Sequence, residues 1–243
     1  MVPERGQSLV EASRGAHVIY AIGVTSDFRS RPFDTIEAHV NLPSTILKET
    51  AFSSFLYLSS TRVYGANTDT SESANLSCCP LDNSDLYNIS KLAGEAVCFA
   101  SHADNVRIAR LSNVVGPHVA ETESFIGQLC RSALSGHIQL RTSLQSVKDY
   151  ISLDDVSRLL CEIALRGSQK IYNVASGIQL SHGQWASAIA SETGCTVAED
   201  EDAPVSNFPP INVERIREEF DFYPKPPLEN ISQLLAPSAY SIK

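Results

Sequence analysis

The sequence predicts an α/β fold built on a parallel sheet, from three observations. Strand and helix signals alternate along the 243 residues. A short apolar run, Phe55-Leu56-Tyr57-Leu58, empties into the small polar pair Ser59-Ser60. No repeat or low-complexity tract interrupts the alternation.

Taken in order, residues 1–14, with Leu9, Val10 and Ala12 as an apolar side, are expected to form at most the helix before the first strand. Strands are expected near 17–23, 55–59, 106–111 and 171–174, each followed by a helix or loop. The 55–58 run is continuous rather than alternating, as suits a strand covered on both faces. A helix is expected from about Ser84, whose hydroxyl can cap it, with Leu86, Ile89, Ala93, Ala96 and Val97 turned inward. After Gly116-Pro117 the character changes, and prolines at 204, 209, 210, 224, 226 and 227 mark a smaller second lobe.

The chemistry-bearing residues lie where the 55–59 strand ends and where the helix begins. Ser60 is followed by Tyr87 and Lys91, a hydroxyl, a phenol and an ammonium. Residues four apart on a helix share a face, so Tyr87 and Lys91 point the same way. A tyrosine ionises near pH 10, and service as acid or base near neutrality needs a drop of roughly 2–3 units, about 3–4 kcal/mol of phenolate stabilisation. A fixed cation supplies stabilisation of that sign, and Ser60 at a strand end can donate to a reacting oxygen. A Tyr-x-x-x-Lys pair also arises by chance on solvated helices, so the context has to carry the reading.

That context resembles a family. His17-Val18-Ile19-Tyr20-Ala21-Ile22-Gly23 is similar to the fourth strand of the extended short-chain dehydrogenase/reductases of the nucleotide-sugar epimerase/dehydratase group, and Val40-Asn41 to the start of the helix that follows. Ser59-Ser60 with Val63-Tyr64-Gly65 resembles the serine motif, and Tyr87 with Lys91 the Tyr-x-x-x-Lys motif. Arg110 to Pro117, Lys148 to Val156 and Ile171 to Gly177 resemble three further segments in family order.

The resemblance implies a doubly wound, Rossmann-like parallel sheet with a smaller C-terminal substrate lobe. It assigns residues 1–115 to the sheet domain, with 147–177 returning to it, and 116–243 mainly to the lobe. It implies Ser60, Tyr87 and Lys91 as catalytic residues, with Lys91 lowering the phenol's pKa. Ala21, Asn41, Ser59, Tyr87 and Lys91 are then expected at an NAD or NADP cofactor, and Ser60, Asn113 and Lys148 at a nucleotide-sugar substrate. A homodimer through the Tyr-x-x-x-Lys helix is the family expectation.

The departures narrow this. The family's glycine-rich first βαβ unit is missing from the sequence, since Gly6, Gly15 and Gly23 lack its spacing, so the sheet is expected to be incomplete. Thr61 and Arg62 follow Ser60 where 4,6-dehydratases carry acidic residues, which favours an epimerase or ketoreductase. Lys148 replaces an arginine and gives a point charge in place of a fork. A second class of function, a catalytically inactive binding or interaction domain that retains the triad, stands beside the enzyme.

Composition sets outer bounds. A hydrophobic share of 43% with 19% charged residues suits a packed domain, and a net charge of −9 argues against nucleic-acid or membrane-surface binding. No apolar run is long enough to span a membrane and no signal peptide is evident, so the cytoplasm is expected. Six cysteines without zinc spacing are expected to be reduced thiols. Asp154-Asp155 fits helix capping better than a metal, and none is expected. Of the histidines, His118 alone falls near the expected cleft, and Trp185 with Ile189 suits a core.

Overall fold

The computed structural model describes residues 2–4, 6–24 and 26–236. Helix α1 (Leu9–Ser13), capped by Ser8, leads into β1 (His17–Tyr20). A helical run follows, made of α2 (Pro32–Ile36), a π-helical segment (Glu37–Asn41) and α3 (Leu42–Glu49). Val40-Asn41, expected to open this run, instead lie inside it. Pro32 starts the helix, in the first turn, where its missing N–H would have had no partner. The wide π turn has a cause in Pro43, which cannot donate to the carbonyl of His39. That carbonyl accepts the Tyr57 phenol instead, at 3.0 Å.

Strand β2 (Ser54–Ser60), a 3₁₀ turn (Thr61–Tyr64), α4 (Leu86–Ala100) and β3 (Val106–Leu111) complete the first half. Then come β4 (Asn113–Val115), α5 (Phe125–Leu134), β5 (His137–Leu140), β6 (Val147–Ser152), α6 (Leu153–Arg166) and β7 (Ile171–Val174). Strand β8 (Gln179–Ser181), α7 (His182–Thr193), β9 (Thr196–Glu199), α8 (Glu214–Phe220) and α9 (Ile231–Leu235) close the described chain.

The main sheet is parallel, in the order β1-β2-β3-β7. Strand β1 stops at Tyr20 rather than Gly23, and residues 21–24 leave the sheet as a loop. Of the stretch 147–177, β7 joins this sheet, whereas β6 pairs with β4 and β8 in a separate three-stranded sheet. Strands β5 and β9 form a two-stranded pair.

Both faces of the main sheet are covered, as the continuous apolar runs require. Tyr20, Phe55, Tyr57 and Ile108 pack with Ile46 and Cys98 on one face. Leu56, Ala109, Tyr172 and Val174 pack with Leu159 and Ile163 of α6 on the other. A third core holds Ile126, Leu129, Ile138, Tyr150 and Ile189 around Trp185, which is fully buried and meets Tyr150 edge-on at 5.1 Å. Trp185 is thus a core residue.

Helix α4 corrects two expectations. Ser84 does not cap it; Asp85 occupies the N-cap without a side-chain capping bond, and the Ser84 hydroxyl accepts from Arg29 at 2.9 Å. Its buried face is polar, with Asn88, Ser90, Lys91, Gly94, Glu95 and Cys98, while Leu86, Ile89, Ala93 and Val97 are half-buried and Ala96 is exposed. The reason is the strand beneath it. Glu95 accepts two bonds from Arg110 of β3, at 2.7 and 3.0 Å, and one from Ser59 of β2 at 2.5 Å. Arg110 also donates to Tyr64, which donates to Asn173 of β7 at 2.8 Å. Buried charges tolerate such a place only when paired and fully bonded.

Gly94 lets α4 approach this closely. A methyl group there would stand 2.4 Å from both the Tyr57 hydroxyl and the His39 carbonyl. Gly94→Ala is therefore expected to lower the urea unfolding free energy by about 1–3 kcal/mol despite the better helix propensity of alanine. An unchanged or raised midpoint would contradict this packing.

Candidate active site

Strand β2 delivers Ser60 to its carboxyl end, and α4 brings Tyr87 over it. The Ser60 side chain lies close enough to the Tyr87 phenol to favour its phenolate, and accepts the Arg62 backbone N–H at 3.2 Å. Both line a cavity of about 500 Å³ whose wall continues through Arg62, Ser112, Asn113, Phe125, Lys148, Asp149 and Phe208. Of the expected site residues, Ser60, Tyr87, Asn113 and Lys148 thus share one cavity. Asn113 donates to the Asp149 carbonyl at 2.8 Å, across the β4–β6 pair.

Lys91 sits behind this wall, nearly buried, with its ammonium donating to the Leu58 carbonyl at 2.9 Å. It lies 5.9 Å from the centre of the Tyr87 ring. Burial pulls its pKa down to about 8, against the pull of Glu95. The expected lowering of the phenol by Lys91 is not what the geometry gives. Burial raises the Tyr87 pKa, and the opposing influences are the nearby Ser60 hydroxyl and the charge of Arg62. The Arg62 guanidinium stands 5.4 Å from the Tyr87 ring centre and 5.2 Å from that of Phe28.

His39 orders the other side of Tyr87. Its Nε2 accepts the Val24 N–H at 3.1 Å, so the proton of the neutral ring belongs on Nδ1, which faces Ser90 at 2.8 Å. Ser90 in turn donates to the Tyr87 carbonyl at 2.8 Å, and the imidazole meets the Tyr87 ring edge-on. Burial and the Lys91 charge push His39 down to about 4, keeping it neutral.

The remaining expected positions lie apart from the cavity. Ala21 is exposed in the loop after β1, and the neighbouring Gly23 runs against His39 and Lys91. Ser59, which alternates away from Ser60, has its hydroxyl committed to Glu95 in the core. Asn41 is exposed on the π segment and donates to Glu37 at 2.7 Å. His118 is exposed in a left-handed turn and does not line the cavity. Asp154 and Asp155 open α6, capped by Ser152, and bind Lys225 through its side chain and its backbone N–H respectively. Among the described residues no cluster of His, Cys, Asp or Glu could hold a metal.

Sequence reasoning missed His39 and the aromatic pair Phe125 and Phe208, which stand 5.9 and 5.4 Å from the Lys148 ammonium. Nothing in their local sequence marks them; they reach the site from a helix, from α5 and from a late loop. Asp149 was also unmarked. It accepts the Ser176 N–H and hydroxyl at 3.0 and 3.1 Å and so ties β6 to the turn after β7.

The family described as NAD dependent epimerase/dehydratase matches residues 4–175. The chain belongs to this family. No curated protein matches the sequence. Among solved structures, MoeE5 in complex with UDP-glucose and NAD superposes with a TM-score of 0.77 at 19% identity, covering 95% of this chain and 82% of that one. RMD from Pseudomonas aeruginosa, complexed with NADPH, gives 0.75 at 21% identity, with 91% and 79% covered. UDP-N-acetylglucosamine 4-epimerase from Methanobrevibacter ruminantium M1 gives 0.77 at 15%, with 95% and 78% covered. At these identities the likeness shows the fold, an α/β architecture with a Rossmann-like parallel sheet. No helix among the described residues is long and apolar enough to cross a membrane.

Two outcomes follow from the electrostatics. His39 is fully buried, and its folded pKa of about 4 lies below the ordinary 6.5, so the unfolded chain binds more protons between these values. Stability is then full above pH 6.5 and falls as pH drops towards 4, by on the order of 3 kcal/mol for this residue. His39→Gln should flatten that part of the denaturation profile; an unaltered slope would contradict a neutral buried imidazole. Arg62→Gln should raise the Tyr87 pKa, read by NMR of ring-labelled tyrosine assigned with Tyr87→Phe, while the reverse shift would remove Arg62 from this role.

Proposed function

We propose that this protein is an NAD(P)-dependent epimerase or ketoreductase that acts on a nucleotide sugar by reversible hydride transfer. The observation that carries the reading is that Ser60 and Tyr87 share the wall of a cavity of about 500 Å³, with the Lys91 ammonium 5.9 Å from the Tyr87 ring centre behind it. The neighbours crystallised with UDP-glucose and NAD or with NADPH support the same class.

The residues present fit the nicotinamide end of such a cofactor. The Lys91 ammonium uses one of its donors on Leu58 and makes no other hydrogen bond among the described residues, and Gly23 leaves room beside it. A buried cation with spare donors suits ribose hydroxyls. Ala21 and Lys91 would face the cofactor, which supplies a carbon able to accept and return hydride. The sequence carries no glycine-rich turn for the pyrophosphate half.

In this reading Tyr87 takes the proton from a sugar hydroxyl as hydride leaves its carbon, and returns the proton when hydride comes back. Ser60 donates to the same oxygen and holds it near the phenol. Arg62 favours the phenolate through its charge, offsetting part of the cost of burial. Asn113 and Lys148 bind the substrate's polar groups further along the cavity. Exposed Phe99, Ala96 and Ala100 on the outer side of α4 offer a surface for a homodimer.

A second reading stands beside it, a binding or interaction domain that retains the triad without turnover.

NADH fluorescence titration separates the two. Binding at micromolar to low-millimolar cofactor, with Tyr87→Phe reducing turnover of a UDP-hexose at least about a hundredfold while leaving NADH binding intact, is the expected result. Absence of NADH binding at millimolar concentration would overturn the enzyme reading.

A further inference from the structure

Arg62 favours the Tyr87 phenolate, yet little fixes its guanidinium there. The side chain is half-buried and donates one hydrogen bond among the described residues, to the Ser84 carbonyl at 3.2 Å. Among those residues it forms no ion pair within 4.0 Å. Asp82 and Asp85 attract it at longer range and Arg29 repels it. An arginine side chain carries about 2 kcal/mol of rotamer entropy, so one long hydrogen bond leaves it loosely held.

The further restraint is Phe28. Its ring is only 1% exposed, stays off the cavity wall, and packs with Val24 and Ala38 against Leu86 and Tyr87. The Phe28 and Tyr87 ring centres are 5.6 Å apart, and the Arg62 guanidinium stands 5.2 Å from the first and 5.4 Å from the second. The three groups thus close a triangle with nearly equal sides. A guanidinium at such distances is attracted by about 0.5–2 kcal/mol per ring. Phe28 is itself set by its own turn, in which Arg31 pairs with Asp27 and Asp34 at 3.1 and 2.9 Å and donates its N–H to the Phe28 carbonyl at 3.3 Å.

We propose that Phe28 is a positioning residue for the acid–base at this site, its ring holding the Arg62 guanidinium beside the Tyr87 phenol. The word acid–base rests on the epimerase or ketoreductase reading above; the contact of ring and guanidinium does not. The other groups around Tyr87 have restraints of their own. Ser60 accepts the Arg62 N–H, neutral His39 is tied to Val24 and Ser90, and the Lys91 ammonium donates to Leu58. A ring that only buried the phenol would act in the opposite sense. Its removal would admit water and lower the Tyr87 pKa, which burial raises, whereas removal of a ring that holds Arg62 frees the cation and raises that pKa further.

Titration of ring-labelled Tyr87 by NMR in the full chain separates these senses. Phe28→Leu, which keeps apolar bulk without a ring, should lower the Tyr87 acid dissociation constant about threefold or more, and the Arg62 Nε–H resonance should lose its ring-current displacement. Phe28→Tyr, which keeps the ring, should move both less and guards against a folding defect. In an Arg62→Gln background, Phe28→Leu should add no further loss. With a UDP-hexose and cofactor, Phe28→Leu should reduce kcat about threefold or more while KM stays within about twofold. A raised or unchanged acid constant in Phe28→Leu, or an equal effect with and without Arg62, overturns the proposal. Absence of any turnover by the unmodified chain overturns the functional reading instead, and the titration then decides the positioning role by itself.

Discussion

Glu95 and Arg110 exchange two hydrogen bonds across the interior of the sheet, and most of the architecture around the site hangs on them. The pair joins α4 to β3, Ser59 adds β2, and Tyr64 with Asn173 carries the connection to β7. Asn173 then fixes the loops that hold Thr70 and Asn212 by donating to their carbonyls. A buried ion pair of this kind contributes little net stability against an apolar equivalent, but removal of either partner strands a charge in a low-dielectric interior. Its value here is geometric. Hydrogen bonds are directional where apolar contacts are not, so three strands and a helix are held in one arrangement at the end of the sheet where Ser60 emerges.

The same polar face explains how the site tolerates its ionisable groups. Tyr87, Lys91 and Glu95 succeed one another at four-residue steps on α4, and His39 faces them from the π segment. Burial pushes Tyr87, Lys91 and His39 toward their neutral forms, and their neighbours decide how far: Lys91, with Glu95 opposing burial, stays at about 8, whereas His39, beside the Lys91 charge, falls to about 4. The fold thus keeps one neutral imidazole and one readily neutralised ammonium beside a phenol.

Much of this was legible in the sequence, for definite reasons. The strands at 106–111 and 171–174 fall where they were expected, and the 55–58 run was legible because a strand buried on both faces is continuously apolar. Ser60, Tyr87 and Lys91 could be placed together because a strand end and a helical four-residue step are local rules. What was illegible depended on contacts distant in sequence. The polar inner face of α4 contradicts the helix's own apolar pattern, since Glu95 is bought inward by Arg110, fifteen residues on. Arg62 was read only for what it replaced, because its stacking on Phe28 and Tyr87 exists solely in three dimensions. Asn41 was placed at a helix start by motif, whereas the run begins at Pro32 and continues past Pro43 to Glu49.

Gly94 has a consequence for register as well as for distance. A helix advances about 1.5 Å and turns about 100° per residue, so sliding α4 by a single position would present Ala93 or Glu95 to the Tyr57 hydroxyl. Neither side chain fits where a methyl group already stands 2.4 Å from that oxygen. Gly94 is the only glycine in α4, and Tyr87 and Lys91 lie on its stripe, two turns and one turn earlier. The missing side chain works as an index notch: it admits one setting of the helix against the strand, and that setting determines which atoms Ser60 meets.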